Sequence, residues 1–157
     1  MAQKGIAGVL DALREETETE SSPKRIDALI EAAKKRVMES FDVEIGIGDD
    51  IYSVVTFTEV RGVDWGNVTA LSPPRESVPA DFQFGFNPDA AVEHYPASAI
   101  RVDGEPVTSE QWKELVGYLD AAARVDMASA LWAVHELKPR QQLAALVAKK
   151  KEASDGK

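Results

Sequence analysis

Cysteine is absent from the 157 residues, which excludes disulfides, thiolate zinc sites, iron–sulfur clusters and cysteine nucleophiles at once. Histidine is scarce: only His94 and His135 occur, 41 residues apart, without further ligand-type residues at metal spacing beyond neighbouring glutamates. Within each of the pairs Glu93-His94 and His135-Glu136, successive side chains diverge by about 100° on a helix and do not converge unaided. Both histidines are therefore expected as partly exposed side chains, with no metal, cofactor or catalytic role. Basic residues are outnumbered, 18 Lys and Arg against 27 Asp and Glu, for a formal charge of −9. That field repels polyanions and argues against nucleic acid as a partner. No run approaches the roughly 20 apolar residues that cross a bilayer, and the opening residues lead into an amphipathic segment rather than a cleavable signal, so no membrane role is expected.

What is present is a 44% hydrophobic chain, long enough to bury roughly 70% of the surface it exposes when unfolded. Ile6, Val9, Leu10 and Leu13 fall at i, i+3, i+4 and i+7, the spacing of a short amphipathic helix over residues 5–14. The next eight residues hold four glutamates and no apolar side chain, which predicts a flexible acidic linker. Residues 1–22 are thus set apart from a globular domain over residues 23–148 and a polar, disordered tail over residues 149–157. Ser22-Pro23 supplies a helix start, with Ile26, Leu29, Ile30, Ala33 and Val37 behind it, predicting a helix to about Ser40.

The period changes to two at Val43, Ile45 and Ile47, and after Gly48-Asp49-Asp50 a β-branched and aromatic run spans residues 51–58. This is a β-hairpin, and the preceding helix is the nearest candidate to cover it. A short helix over residues 62–71 ends at Ser72-Pro73-Pro74, followed by a polar loop over residues 75–85. Asn87-Pro88-Asp89 opens a helix that stops before Pro96, and residues 99–102 form an extended piece closed by Asp103-Gly104. Thr108 and Gln111 have capping-box spacing ahead of Trp112, Leu115, Val116 and Leu119. Residues 126–137 are apolar over more than one stripe, as in a central helix; Pro139 breaks it and starts a last helix through Leu143, Leu146 and Val147. The expected fold is α+β, a mostly α-helical single domain with a small antiparallel β-hairpin or sheet.

The motifs that resemble chemistry have simpler explanations. Gly46-Ile47-Gly48 lacks the third glycine of a dinucleotide loop and runs into two aspartates, so it reads as a turn. Asp49 and Asp50 lack calcium-loop spacing. Asn67-Val68-Thr69 matches a glycosylation sequon by chance. Of Trp65, Trp112 and Trp132, at least two are expected in the core, although tryptophan also anchors partners. Lys149, Lys150 and Lys151 read as a solvated terminus. No enzyme constellation is present in the sequence, and none is expected.

The order of motifs carries more. Val55-Thr56-Phe57, Asp64-Trp65, Leu71-Ser72-Pro73-Pro74, Phe86-Asn87-Pro88-Asp89, Thr108-Ser109-Glu110-Gln111-Trp112 and Ala130-Leu131-Trp132-Ala133-Val134 together resemble tail assembly chaperones of long-tailed phages infecting actinobacteria. The resemblance spans residues 42–137 and departs at Ser72, where related sequences often carry His, and near His135, where they often carry Asn. It implies a non-virion protein of the host cytoplasm that binds the tape measure protein and keeps it in solution while tail tube subunits polymerise. It also implies a possible homo-oligomer, contacts with the tail tube protein, and a frameshifted long form of the chain itself. Lys149, Lys150 and Lys151 are candidates for the frameshift region, because lysine codons build slippery sites. Ile6, Val9, Leu10 and Leu13 on the first helix and Leu143, Leu146 and Val147 on the last are the candidate client contacts; each stripe can equally pack on its own domain. The alternative class is a structural virion component such as a head–tail connector or minor tail protein.

Overall fold

In the computed structural model, residues 22–155 are described, and the elements run in the order α1 (Ser22–Lys35), β1 (Ser40–Ile47), β2 (Ile51–Thr58), α2 (Gly62–Ala70), α3 (Pro79–Phe84), α4 (Pro88–His94), a 3₁₀ turn (Ala97–Ala99), β3 (Ile100–Val102), β4 (Glu105–Pro106), α5 (Ser109–Tyr118), α6 (Ala121–Trp132), a π turn (Ala133–Leu137) and α7 (Lys138–Asp155). The chain is a mostly helical α+β protein with one antiparallel sheet of order β1-β2-β3-β4. It divides into two units, Met38–Leu137 and a second that joins Met1–Val37 with Lys138–Lys157. The expected first helix with Ile6, Val9, Leu10 and Leu13, and most of the acidic linker, lie outside the described residues.

In Met38–Leu137 the hairpin forms because alternation places one apolar set inward. Val43 pairs with Val55 and Phe41 with Phe57 across β1 and β2, while Val55 and Phe57 pair onward with Val102 and Ile100 of β3. Gly48 takes φ +66° at the hairpin turn, where an L side chain is strained. At the second turn both Asp103 (φ 52°) and Gly104 (φ 83°) adopt positive φ, the pair that a two-residue turn matched to strand twist requires. Asp103 compensates its strain with hydrogen bonds: its carboxylate accepts from the Val54 N–H and the Ser53 hydroxyl, both at 2.9 Å. Those bonds hold its carboxyl below the ordinary range, the Val54 N–H contributing most.

Within its own unit the inner sheet face is covered by α6 on β1, with α4 on α6. Met127 and Leu131 of α6, Val92 of α4, and Trp112 and Val116 of α5 meet Val55, Phe57 and Ile100 in one cluster. The Trp112 indole N–H donates to the Val92 carbonyl at 2.8 Å, so the ring is buried without an orphaned donor. Side-chain caps start α4, α5 and α6. Asn87 accepts from the Ala90 N–H, Asp120 from the Ala123 N–H, and Thr108 and Gln111 close their reciprocal box.

Several boundaries differ from the sequence expectation. α1 ends at Lys35 rather than Ser40, leaving Val37 81% exposed outside it, because the Glu59 N–H donates to the Glu39 carbonyl and the Glu39 N–H to the Glu59 carboxylate, which draws the chain into the strand pair. The expected loop at residues 75–85 contains α3, started by Pro79 and stopped by Gly85 at φ +87°. α6 begins at Ala121, five residues early, since Asp120 caps three alanines. Pro139 does not break the backbone into a loop: the helical bonding widens to a π turn over Ala133–Leu137, and Pro139 takes the second position of α7, where its missing N–H costs little. α7 then continues to Asp155 through residues 149–155, expected as a disordered tail, whose lysines, glutamate and alanine are good helix formers.

Phe57→Ala should cost about 3–5 kcal/mol, the range for emptying an aromatic site, against a total stability of about 5–15 kcal/mol. Tyr118→Ala, at a residue 86% exposed, should change stability by less than about 0.5 kcal/mol. Urea denaturation of the two variants measures the contrast; equal midpoints would place the core elsewhere.

Candidate functional site

Where β2 ends, side chains take over from ladder partners at the Thr58 carbonyl and the Val60 N–H. The Tyr95 hydroxyl donates to the Thr58 carbonyl at 2.6 Å, and the Val60 N–H donates to His135 Nε2 at 3.1 Å. Because Nε2 accepts, the proton of the neutral ring sits on Nδ1, which donates to the Leu131 carbonyl at 2.8 Å. The imidazole stacks on Trp65 at 4.4 Å and 13°, while Glu136 accepts the Trp65 indole N–H at 2.8 Å. His135 and Glu136, expected to diverge, thus both engage one tryptophan from the π turn. Burial first, and the Glu59 carboxylate second, push the Tyr95 hydroxyl above its ordinary range, so it stays a neutral donor. With both ring nitrogens committed to backbone groups, His135 is placed to brace the strand end rather than to take a proton from a substrate or bind a metal. Among the described residues, no three His, Asp or Glu side chains are grouped to hold a metal ion.

A second charged cluster lies in the stretch expected to be loop. Asp81 is buried, and Arg75 grips it in a fork: Nε to Oδ2 at 2.8 Å, Nη2 to Oδ1 at 3.0 Å, with the Arg75 backbone N–H adding a third bond at 2.9 Å. Arg75 Nη1 reaches Asp89 at 3.2 Å, and Arg124 stands 4.0 Å from the same carboxylate. The guanidinium bonds of Arg75 hold the Asp81 carboxyl below its usual range, against the opposing effect of burial. Beside this cluster a cavity of about 250 Å³ opens between α3, α4 and α6, lined by Val78, Ala80, Phe84, Pro88, Val125 and Ala128, with Arg75, Asp81, Asp89 and Ser129. Its apolar walls and saturated charges suit an aliphatic or aromatic side chain better than an ionic ligand.

The residues singled out from the sequence are distributed as follows. Leu143, Leu146 and Val147 lie on α7 and are 51%, 41% and 49% exposed; the helix has no buried residue among those described. Lys149 and Lys151 on the same helix are exposed and Lys150 is half-buried. Asp49 and Asp50 are exposed in the hairpin turn, and Trp65 and Trp112 are core residues with Trp132 packed against them. Ile6, Val9, Leu10 and Leu13 fall outside the described residues. Sequence reasoning missed the Arg75–Asp81–Asp89 cluster and its cavity. The signal present was Pro79 followed by Gly85, a helix start and stop six residues apart.

A group whose folded pKa is depressed stabilises the fold above its unfolded pKa, about 4 for aspartate, and that stabilisation is lost as pH falls through the folded value. Asp81→Asn should therefore melt well below the parent chain at pH 7, and the gap should narrow as pH drops below about 4. A gap that stays constant from pH 7 to pH 3 in thermal melts would show that Asp81 acts without its charge. The chain matches no protein-family model, no curated protein and no solved structure.

Proposed function

We propose that this protein is a phage tail assembly chaperone, a holdase without chemistry of its own that binds the tape measure protein and keeps it in solution during tail tube polymerisation. The observation that carries the reading is the half-exposed apolar stripe Leu143, Leu146 and Val147 on α7. Amphipathic stripes ordinarily bury their apolar side chains, and here about half of each side chain is open to solvent. Ile26 and Ile30 of α1 are exposed as well and offer further apolar surface to a helical client. The order of motifs over residues 42–137 supports the same reading, and the charge of −9 opposes aggregation of a complex that holds apolar helices. On this reading the chain works in the host cytoplasm and is absent from finished particles. The tail tube protein and a frameshifted long form are its further partners.

The test is co-expression with the tape measure protein. The parent chain should keep the client in the supernatant, and Leu143→Asp/Leu146→Asp should lose that effect while melting cooperatively within a few degrees of the parent, as expected for exposed positions. Undiminished solubilisation by the double variant, or the protein recovered from purified particles at ring-like copy number, would overturn the reading, the latter in favour of a connector.

A further inference from the structure

β1 is an edge strand: in the order β1-β2-β3-β4 it has a neighbour on one side, and among the described residues no backbone hydrogen bond meets its other side. Which of its backbone groups point outward follows from β2. The Val54 N–H donates to the Asp103 carboxylate at 2.9 Å and the Val54 carbonyl accepts the Asp103 N–H at 2.8 Å, so both groups face away from β1. Its partner Glu44 therefore sits in a non-hydrogen-bonded pair, and by the period of two Asp42 and Gly46 do as well. The Thr58 carbonyl, taken by Tyr95, puts Ser40 in the same series. The N–H and C=O groups of these residues form the open edge. Ser40–Ile47 lacks the proline, lysine or bulge that blunts many such edges, since its register with β2 is unbroken.

The side chains beside the edge define what fits it. Val43 and Ile45 are buried, whereas Asp42 and Glu44 are exposed on the opposite face. Both accept from neutral hydroxyls of β2, Thr56 to Asp42 at 2.7 Å and Tyr52 to Glu44 at 2.8 Å, and among the described residues no Lys or Arg pairs with either. Such bonds order the carboxylates without cancelling their charge. Arg101 of β3, the one cation in the sheet among the described residues, donates to the Gly104 carbonyl at 3.2 Å instead. Residues directly opposite in a ladder carry their side chains on the same face. A second copy added antiparallel at this edge would set carboxylate against carboxylate, which is destabilising. A strand with Lys or Arg opposite Asp42 and Glu44, and apolar residues beside Val43 and Ile45, satisfies backbone, charge and apolar face together.

We propose that β1 receives, as a fifth strand, an extended segment of another protein in which basic and apolar residues alternate. Backbone bonds to Asp42, Glu44 and Gly46 hold the segment, and the two carboxylates select its composition. This surface involves no residue of α7, so the inference goes beyond the client reading and stands without it.

The test uses the isotope-labelled full chain and the acetylated, amidated peptide Lys-Val-Lys-Ile-Lys-Val. The peptide should bind saturably, and amide exchange at Asp42, Glu44 and Gly46 should slow about tenfold or more while α7 is unchanged. The same peptide N-methylated at its three lysines keeps its charge but loses the N–H groups that face β1, and it should not bind. Asp42→Asn/Glu44→Gln should bind the parent peptide several-fold more weakly and melt within a few degrees of the parent chain. Equal affinity for the N-methylated peptide would mean attraction by charge alone and would overturn the proposal. So would the absence of binding, or protection that falls outside β1. Protection of the same amides that grows with protein concentration in the absence of peptide would assign the edge to a second copy, and would overturn it too.

Discussion

Phe57, fully buried on β2, meets Phe41 of the neighbouring strand at 5.6 Å, Tyr95 at the end of α4 at 5.6 Å and Trp112 of α5 at 5.8 Å, the last two edge-on. These contacts fix the distance of two helices from the sheet, and aromatic pairs of this geometry add about 0.5–1.5 kcal/mol each beyond the area they bury. Tyr95 couples this packing to hydrogen bonding, since its hydroxyl reaches the Thr58 carbonyl one residue beyond the ring it packs on. The backbone groups left unpaired where β2 ends are then satisfied from α4 and the π turn. A strand end that would otherwise carry buried, unsatisfied polar groups becomes a junction of sheet and helices.

That junction bears on what the protein can do. His135, the half-buried side chain with the most obvious catalytic potential, is held as a neutral acceptor for Val60, and Glu136 is held by Trp65. Arg75 and Arg124 offset the charges of Asp81 and Asp89 beside the cavity. Polar groups inside the Met38–Leu137 unit thus serve its stability. Among the described residues what remains is apolar surface: the stripe on α7, the exposed isoleucines of α1 and the cavity beside α3. Such surfaces suit binding of other apolar chains, by a partner or by a second copy.

Much of the fold was legible where local rules act alone. The capping box at Thr108, the asparagine cap at Asn87, the period-two runs of β1 and β2 and the Asp103-Gly104 turn all appear where spacing put them. What escaped were features set by distant partners. The helix after Ser22 stopped early because Glu39 found Glu59, a strand contact across 20 residues. α3 was hidden among polar residues because Asp81 is buried by an arginine six positions earlier, and an aspartate in sequence reads as surface. His135 looked idle because its partners, Val60, Tyr95 and Trp65, lie 40 to 75 residues away. The stripe on α7 was legible as apolar, but periodicity does not tell whether a helical face meets a core or solvent.

The central claim is that α7 is the client-holding surface. A photo-activatable cross-linking residue placed at Leu146, with the same residue at Tyr118 as an exposed control, tests it directly during co-expression with the tape measure protein. The account predicts cross-links to the client from position 146 and none from position 118. Client cross-links from 118 with none from 146 would place the holding surface elsewhere and contradict the account.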